Sequence, residues 1–447
     1  MLWRNKFILF FFLSALLLLM MAGMLALVND SWKPIRSDGF GHYIYLPSTI
    51  IHQNLEHSDT LVSIYGENFG GRGFFDGVRE LENGNYFSKY PFGTAILMLP
   101  LFLSAHLLAH LLPFWEADGY SFIYQLAMVL SAISYFGIGS YFIHKLIEKR
   151  FVSQSISYIS LSTLLFGTNI IHYIIFDTTY SHIYAFAVFS ALLYVCDNYL
   201  IDSYSRKWWL VAAALVGLLV IIRNAHIVFA ILPFLALTER LLKKNISIRE
   251  YSLSLLLGFV TGLAFVSTML LYWGLVTGDP LKYSYGNESF DFLAPQFDRV
   301  FLDINNGMFI WHPLLLIAVA GIIYSIVRQK DRLVTYSLPI VLVIFYIYAS
   351  WWAPSLGFSF GYRGATDLYP IFTIGFAYFF SLIAKSKFKL LNAVTIAIIL
   401  FFLLQNMIQL NNHWRGIIYG NLITWELYKD VYLRPCIDVS IDILRCD

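Results

Sequence analysis

Two polar stretches hold residues able to do chemistry within an otherwise apolar sequence. One reads Ser37, Asp38, Gly39, Phe40, Gly41, His42, Tyr43; the other runs from Asn83 and Gly84 through Tyr86, Phe87, Lys89 and Pro91 to Gly93. They bring to a membrane face a carboxylate, which can accept a proton, and an ammonium, which can pair with an anion. Further polar residues collect at Asp177, Thr178, Thr179, Tyr180, Ser181 and His182, in the loop 278–306, and in 351–363, which ends on Gly361, Tyr362 and Arg363. Arg223, Asn224, Ala225 and His226 separate two apolar runs, 208–222 and 227–237. Those runs together have only about 30 residues where two full spans need roughly 40, so the hairpin is short. Its tip should lie below the external surface, at a depth where Arg223 needs an acidic side chain, helix carbonyls or a lipid phosphate as partner.

The elements that position these groups follow from composition. The chain has 447 residues, 58% hydrophobic, 18% aromatic and 13% charged. Soluble domains carry about a quarter charged residues, so the expected class is an all-α polytopic membrane protein. A net charge of +2, dealt out in short clusters, gives no footing for a nucleic-acid partner. About twelve apolar runs are long enough to be considered as spans. The first, 7–28, is longer than a signal-peptide core and lacks a cleavage site, so it reads as a retained helix. Basic clusters at Arg4/Lys6, Lys145/Lys149/Arg150, Arg206/Lys207, Arg240 to Arg249, Arg328 to Arg332 and Lys385 to Lys389 all belong in the cytoplasm by the positive-inside rule. Three apolar runs lie between the first two clusters, yet two cytoplasmic ends require an even number of crossings. The run 92–114 is the expected exception, because Pro91, Pro100, Pro113, His106 and His110 load it unusually. It is predicted as a re-entrant or juxtamembrane helix on the outer side. The expected architecture is then a membrane domain over 1–410 with about eleven crossings, a cytoplasmic N-terminus, a first external loop over 29–119 and an external tail over 411–447.

Local readings compete at each candidate. Asp38 before Gly39 suits a turn or helix cap, Asp177 a cap for a helix starting near Thr178, and Lys89 an interfacial lysine that snorkels. Trp351, Trp352, Tyr283, Tyr285, Phe290 and Phe292 suit an aromatic interface belt. Arg363 stands among glycines that permit close ligand approach. His42, His172, His182 and Asp177 are candidate metal ligands by type, but no compact spacing supports a site, so no metal is assigned. Cys196 reads as inert packing, whereas Cys436 and Cys446 either pair in an oxidising compartment or stay free. The external face has no soluble nucleotide supply, so a synthetic enzyme there needs a donor carried across on a lipid. A polyprenyl-phosphate sugar fits that need.

The order of these motifs resembles the membrane glycosyltransferases of the GT-C superfamily, including the protein O-mannosyltransferases and the lipid A aminoarabinose transferases. The likeness rests on the acidic residue just after the first helix, the stretch from Asn83 to Pro91, Asp177 with Ser181 and His182, Asn306 to Phe309 with Pro313, and Trp352 through Arg363. The resemblance implies a GT-C type bundle with external juxtamembrane helices in the first loop, in a bacterial inner membrane. It implies transfer of a sugar from a polyprenyl-phosphate donor to a lipid, glycan or protein hydroxyl, with inversion. Asp38 maps to the acceptor-side base and Asp177 to a second acidic position. Lys89 maps to the phosphate-binding lysine, Arg223 and Arg363 to weaker phosphate contacts, and Tyr86 and His182 to substrate-binding positions. No cofactor is required, although some members use a divalent ion. The rival classes are a lipid or glycan flippase, a polysaccharide ligase or polymerase using a lipid-diphosphate donor, and a non-catalytic scaffold. Charges gathered at one face, without related halves, favour the transferase over the flippase.

Overall fold

The computed structural model describes residues 2–28, 32–65, 77–82, 84–357, 359–418 and 423–434. After the long apolar α1 (Leu2–Val28) come the short helices α2 (Ser37–Tyr43), α3 (Tyr45–Ile50) and α4 (Ser58–Tyr65), then strands β1 (Val78–Glu80) and β2 (Tyr86–Ser88). The chain continues through α5 (Gly93–Leu111), α6 (Phe122–Arg150), α7 (Gln154–Gly167), α8 (Ile170–Ile175), α9 (Ser181–Tyr199), α10 (Arg206–Ile222), α11 (Ile231–Leu242) and α12 (Ile248–Thr277). It ends with α13 (Phe297–Phe301), α14 (Met308–Trp311), α15 (Leu315–Val327), α16 (Arg332–Ala349), α17 (Tyr369–Lys385), α18 (Lys389–Trp414) and α19 (Trp425–Val431). Among the described residues, eight helices are long and apolar enough to cross a membrane, and α15 is a shorter apolar one. The chain is thus a helical membrane protein. The only sheet described is the antiparallel β1–β2 pair, a hairpin within the first loop that the apolar patterning did not signal.

The segment expected to be a re-entrant or juxtamembrane helix is one unbroken helix, α5. Pro91 precedes α5, Pro113 follows it, and Pro100 lies inside without ending it. At 19 residues α5 meets the length of a span. The break expected at Arg223 is present: α10 stops at Ile222, Arg223 is extended, and a 3-10 turn over Asn224–Ala230 leads into α11. The arms are longer than the apolar runs alone, and Asn224–Leu242 has the 19 residues of a span. The tail boundary placed at 411 falls inside α18, and Asn412 Nδ2 donates to the carbonyls of Val431 and Arg434, tying α19 back to it. Cys436 and Cys446 lie outside the described residues. Cys196 is buried in α9 as a free thiol.

By packing, the chain divides into two units, Met1–Ile138 with Tyr173–Asn287, and Gly139–His172 with Glu288–Asp447. In the first, α2 and α3 bury Tyr43, Ile44 and Leu46 against Met98 and Phe102 of α5 and Tyr124 of α6. Aromatic side chains dominate such a core because each buries a large area. Two of the hydroxyls are held by backbone: Tyr43 donates to the Gly119 carbonyl and Tyr45 to the Tyr90 carbonyl, each at 2.6 Å. His57 bridges Ser48 Oγ and the Tyr272 hydroxyl, 2.9 Å on either side, so the loop before α4 is bolted to α12. In the second unit, Gly321 of α15 and Gly375 of α17 sit where any side chain would strike the opposite backbone, the small-residue contact by which membrane helices approach closely. There Arg150 grips Asp331 with two hydrogen bonds of 2.6 and 3.2 Å. Burial opposes ionisation of Asp331, but the bonds and charge of Arg150 outweigh it and hold the carboxyl below its usual range.

Candidate functional site

Five of the seven residues singled out from sequence lie in the first unit around α2, and the sixth, Tyr86, is in the neighbouring hairpin. On a helix of 3.6 residues per turn, Asp38 and His42 share a face four positions apart. The face is enclosed on one side by the segment 177–182, where Gly39 comes so close to Thr179 that a methyl group would strike its hydroxyl. On another side stands the turn into α5, where the His42 ring hydrogen-bonds the Pro91 backbone and stacks on Tyr90 with centroids 4.4 Å apart. Gly93 brings the start of α5 against the end of α10, since an added Cβ would lie 2.6 Å from the Ile221 carbonyl group. That contact delivers Arg223, the next residue but one, to the same place.

His42 reports the convergence electrostatically. Burial is the largest influence on its ring, followed by repulsion from Arg223, attraction from Asp38 and repulsion from His182; together they push its pKa down to about 3. The imidazole is therefore neutral at any working pH. Asp38 is half-buried in the first turn of α2 and makes no cap, contrary to its local reading. His182 is fully buried in the first turn of α9, its ring 4.7 Å from that of Tyr173.

Lys89 does not snorkel. It is 8% exposed, with Nζ 5.3 Å from the Tyr90 ring and 5.4 Å from the Tyr285 ring. Its backbone is fixed on both sides, the amide to the Gly77 carbonyl and the carbonyl to Ser284 Oγ, each at 2.8 Å. Tyr90 thus serves two neighbours, stacking on His42 and walling Lys89. The two ring faces attract the ammonium through their quadrupoles.

Asp177 is not the cap that its local reading suggested. Tyr180 is the N-cap of α9 and no side chain caps that helix. Instead the Asp177 carboxylate accepts a 2.9 Å hydrogen bond from Arg36 Nε, and the Arg36 guanidinium lies 3.9 Å over the Phe176 ring. Trp32 Nε1 adds a bond to the Ile175 carbonyl at 3.1 Å. These contacts strap the 32–36 segment to the 175–179 segment and so hold α2 in position. Tyr86 pairs across the hairpin with Glu80. Its hydroxyl is raised above its ordinary pKa by burial first and by the Glu80 carboxylate second. Arg363 belongs to the second unit, half-buried at the start of a 3-10 turn and next to Gly357, whose carbonyl accepts from Asn306 Nδ2 at 2.6 Å. Among the described residues, no three His, Cys, Asp or Glu side chains converge as a metal site requires; His172 receives a hydrogen bond from Trp414 in the second unit.

Beside the polar group lies an apolar groove of about 340 Å³, walled by Tyr45 and Leu46 of α3, Phe92, Ala95 and Leu99 around α5, and Tyr272 of α12. Two of its walls adjoin the Tyr90 turn: Tyr45, whose hydroxyl donates to the Tyr90 carbonyl, and Phe92, two residues after Tyr90. Leu271 and Leu275 of α12, also on the groove, are more than 60% exposed on the flank of an apolar helix. Sequence reasoning missed Arg36, Tyr90, Tyr285 and the central place of His42. The spacing of four between Asp38 and His42 was the available signal; nothing local linked Arg36 to Asp177.

Fold and site together define a polytopic helical membrane protein whose first unit holds a charged, partly buried cluster and, near it, an apolar groove. Compared with protein-family profiles and with curated proteins, the chain matches none.

Proposed function

We propose that the chain is a glycosyltransferase that moves a sugar from a polyprenyl-phosphate donor to a hydroxyl of a lipid, glycan or protein acceptor at the outer face of a bacterial inner membrane. The observation that supports this reading is that Tyr90, which stacks on His42 and walls Lys89, is held by Tyr45, a wall of the apolar groove. A prenyl chain lies in the groove and its phosphate meets Lys89 and Arg223. The acceptor hydroxyl attacks the anomeric carbon as the bond from that carbon to the phosphate oxygen breaks. The hydroxyl proton passes to Asp38, and the phosphate leaves with the bonding pair, its charge met by the two cations. One displacement inverts the anomeric centre. About eleven crossings, with the first loop outside, keep this cluster on the side to which lipid-linked donors are delivered.

The test is reconstitution in lipid vesicles with labelled polyprenyl-phosphate sugars and a panel of hydroxyl acceptors. Wild-type protein transfers label, and Asp38→Asn abolishes transfer by at least about 10²-fold, the usual contribution of a positioned base. Transfer undiminished in Asp38→Asn overturns the base assignment. Label that moves between leaflets without transfer identifies a flippase instead.

A further inference from the structure

His42 carries more than its place beside Asp38. Its ring is fully enclosed and bonds the Pro91 backbone, yet Nδ1 is buried without a hydrogen-bond partner among the described residues. In the tautomer that carries its proton on the other nitrogen, Nδ1 presents a lone pair that can accept a hydrogen bond. Buried polar atoms are nearly always hydrogen-bonded, and an exception inside a cluster of functional groups calls for a missing partner. Two more stand on the segments that enclose α2. Thr178 Oγ1 neighbours the residue that abuts Gly39, and Thr94 Oγ1 lies in the first turn of α5, three residues after Pro91; both are buried and unpartnered. All three atoms are uncharged, and each can bond a hydroxyl.

We propose that His42 is a substrate-contacting residue whose Nδ1 accepts a hydrogen bond from a sugar hydroxyl of a glycosyl phosphate whose phosphate lies at Arg223. Arg223 is close enough to repel charge from the ring, so a compact ligand spans both, anion on one and hydroxyl on the other. Thr94 and Thr178 supply further neutral contacts to the same polyol. The groups facing His42 are Asp38 from its own helix, Arg223 after α10, His182 of α9 and Tyr90 before α5. Because the ring stays neutral among them, it recognises a hydroxyl without taking its proton, and Asp38 keeps the base role. The inference rests on the transferase reading for the identity of the ligand but makes a separate demand on binding.

The experiment measures binding of hexose and pentose 1-phosphates, with inorganic phosphate as reference, to the full chain in lipid nanodiscs. At least one sugar phosphate binds more tightly than phosphate. That advantage falls about 3–10-fold in His42→Phe, the range of one neutral hydrogen bond. It is retained in His42→Asn, whose amide oxygen stands where Nδ1 was, and lost in His42→Gln, which reaches the position of the other nitrogen. If His42→Phe does not fold, the Asn and Gln pair makes the same comparison. No advantage over phosphate, or equal binding by the Asn and Gln variants, overturns the proposal. A His42-dependent advantage in a protein that transfers no sugar refutes the transferase reading and leaves the subsite standing. Transfer that proceeds in His42→Phe with unchanged KM and kcat does the reverse.

Discussion

Gly93→Ala tests the contact that brings α5 to Arg223. The added methyl would lie 2.6 Å from both the carbon and the oxygen of the Ile221 carbonyl and 2.7 Å from the Ile222 amide, where ordinary contact begins at 3.4 Å. All three atoms are backbone, so no rotamer change relieves the clash. The start of α5 and the end of α10 must part by the difference, about 0.8 Å. Overpacking of this kind costs about 1–3 kcal/mol. The displacement falls between Pro91, which holds His42, and Arg223, so the cluster opens by a similar amount. A misplacement near 1 Å among reacting groups slows an enzyme by up to about 10²-fold. Gly262→Ala is the matched control, because nothing lies within 4 Å of its new methyl. In α12 it should gain up to about 1 kcal/mol of helix propensity. Thermal unfolding in nanodiscs and sugar transfer are measured on both variants. If Gly93→Ala is as stable and as active as Gly262→Ala, the close approach does not organise the site.

Lys89→Ala removes a cation from beside the groove and should raise KM for the lipid donor at least about tenfold while leaving acceptor KM near its wild-type value; equal loss on both substrates, read from initial rates, contradicts a phosphate contact. Asp177→Asn breaks the strap to Arg36, with an expected loss of about 1.5–3 kcal/mol in unfolding and a smaller effect on turnover of the folded fraction; a large drop in kcat at unchanged stability would make it a catalytic residue instead. The first unit should weaken in acid. His57 is pushed down to about 3 by burial, below its ordinary 6.5. The neutral ring therefore contributes stability that is complete above pH 6.5 and is lost as pH falls from there towards 3. At pH 5 the loss is about 2 kcal/mol for His57, with a like amount for His42. His57→Gln should remove about half of the acid dependence in a pH series of unfolding curves, and an unchanged series refutes the assignment.

The long apolar helices were legible because a bilayer demands continuous apolar length, and the break at Arg223 was legible because polar residues interrupt two apolar runs there. Proline content did not break α5. Pro91 and Pro113 flank the helix, and only Pro100 had to be absorbed inside it. At the site, residue types were legible but partnerships were not. Asp177 and Arg36 meet across 141 positions, and the hairpin β1–β2 rests on strands of three residues, too short for alternation to declare. Lys89 read as a surface lysine because its aromatic walls come from Tyr90, its neighbour, and from Tyr285, nearly two hundred residues on. Local pattern cannot report a cage assembled from so far apart.

The interleaving of the two units sets an order of events during synthesis. The piece Gly139–His172 belongs with Glu288–Asp447, so α7 is made and inserted long before its partners exist. Asn169 donates to the Phe360 carbonyl across 191 positions, and Asn406 reaches back to the Phe166 carbonyl across 240. At a translation rate of about 5–20 residues per second, those groups wait roughly 10–50 s with their eventual partners still unmade. Throughout that interval the polar end of α7 is a client for whatever hydrates or shields nascent membrane segments. Delays or rare-codon pauses between residues 172 and 360 therefore act on the yield of the second unit, whereas the first needs only the chain up to Asn287.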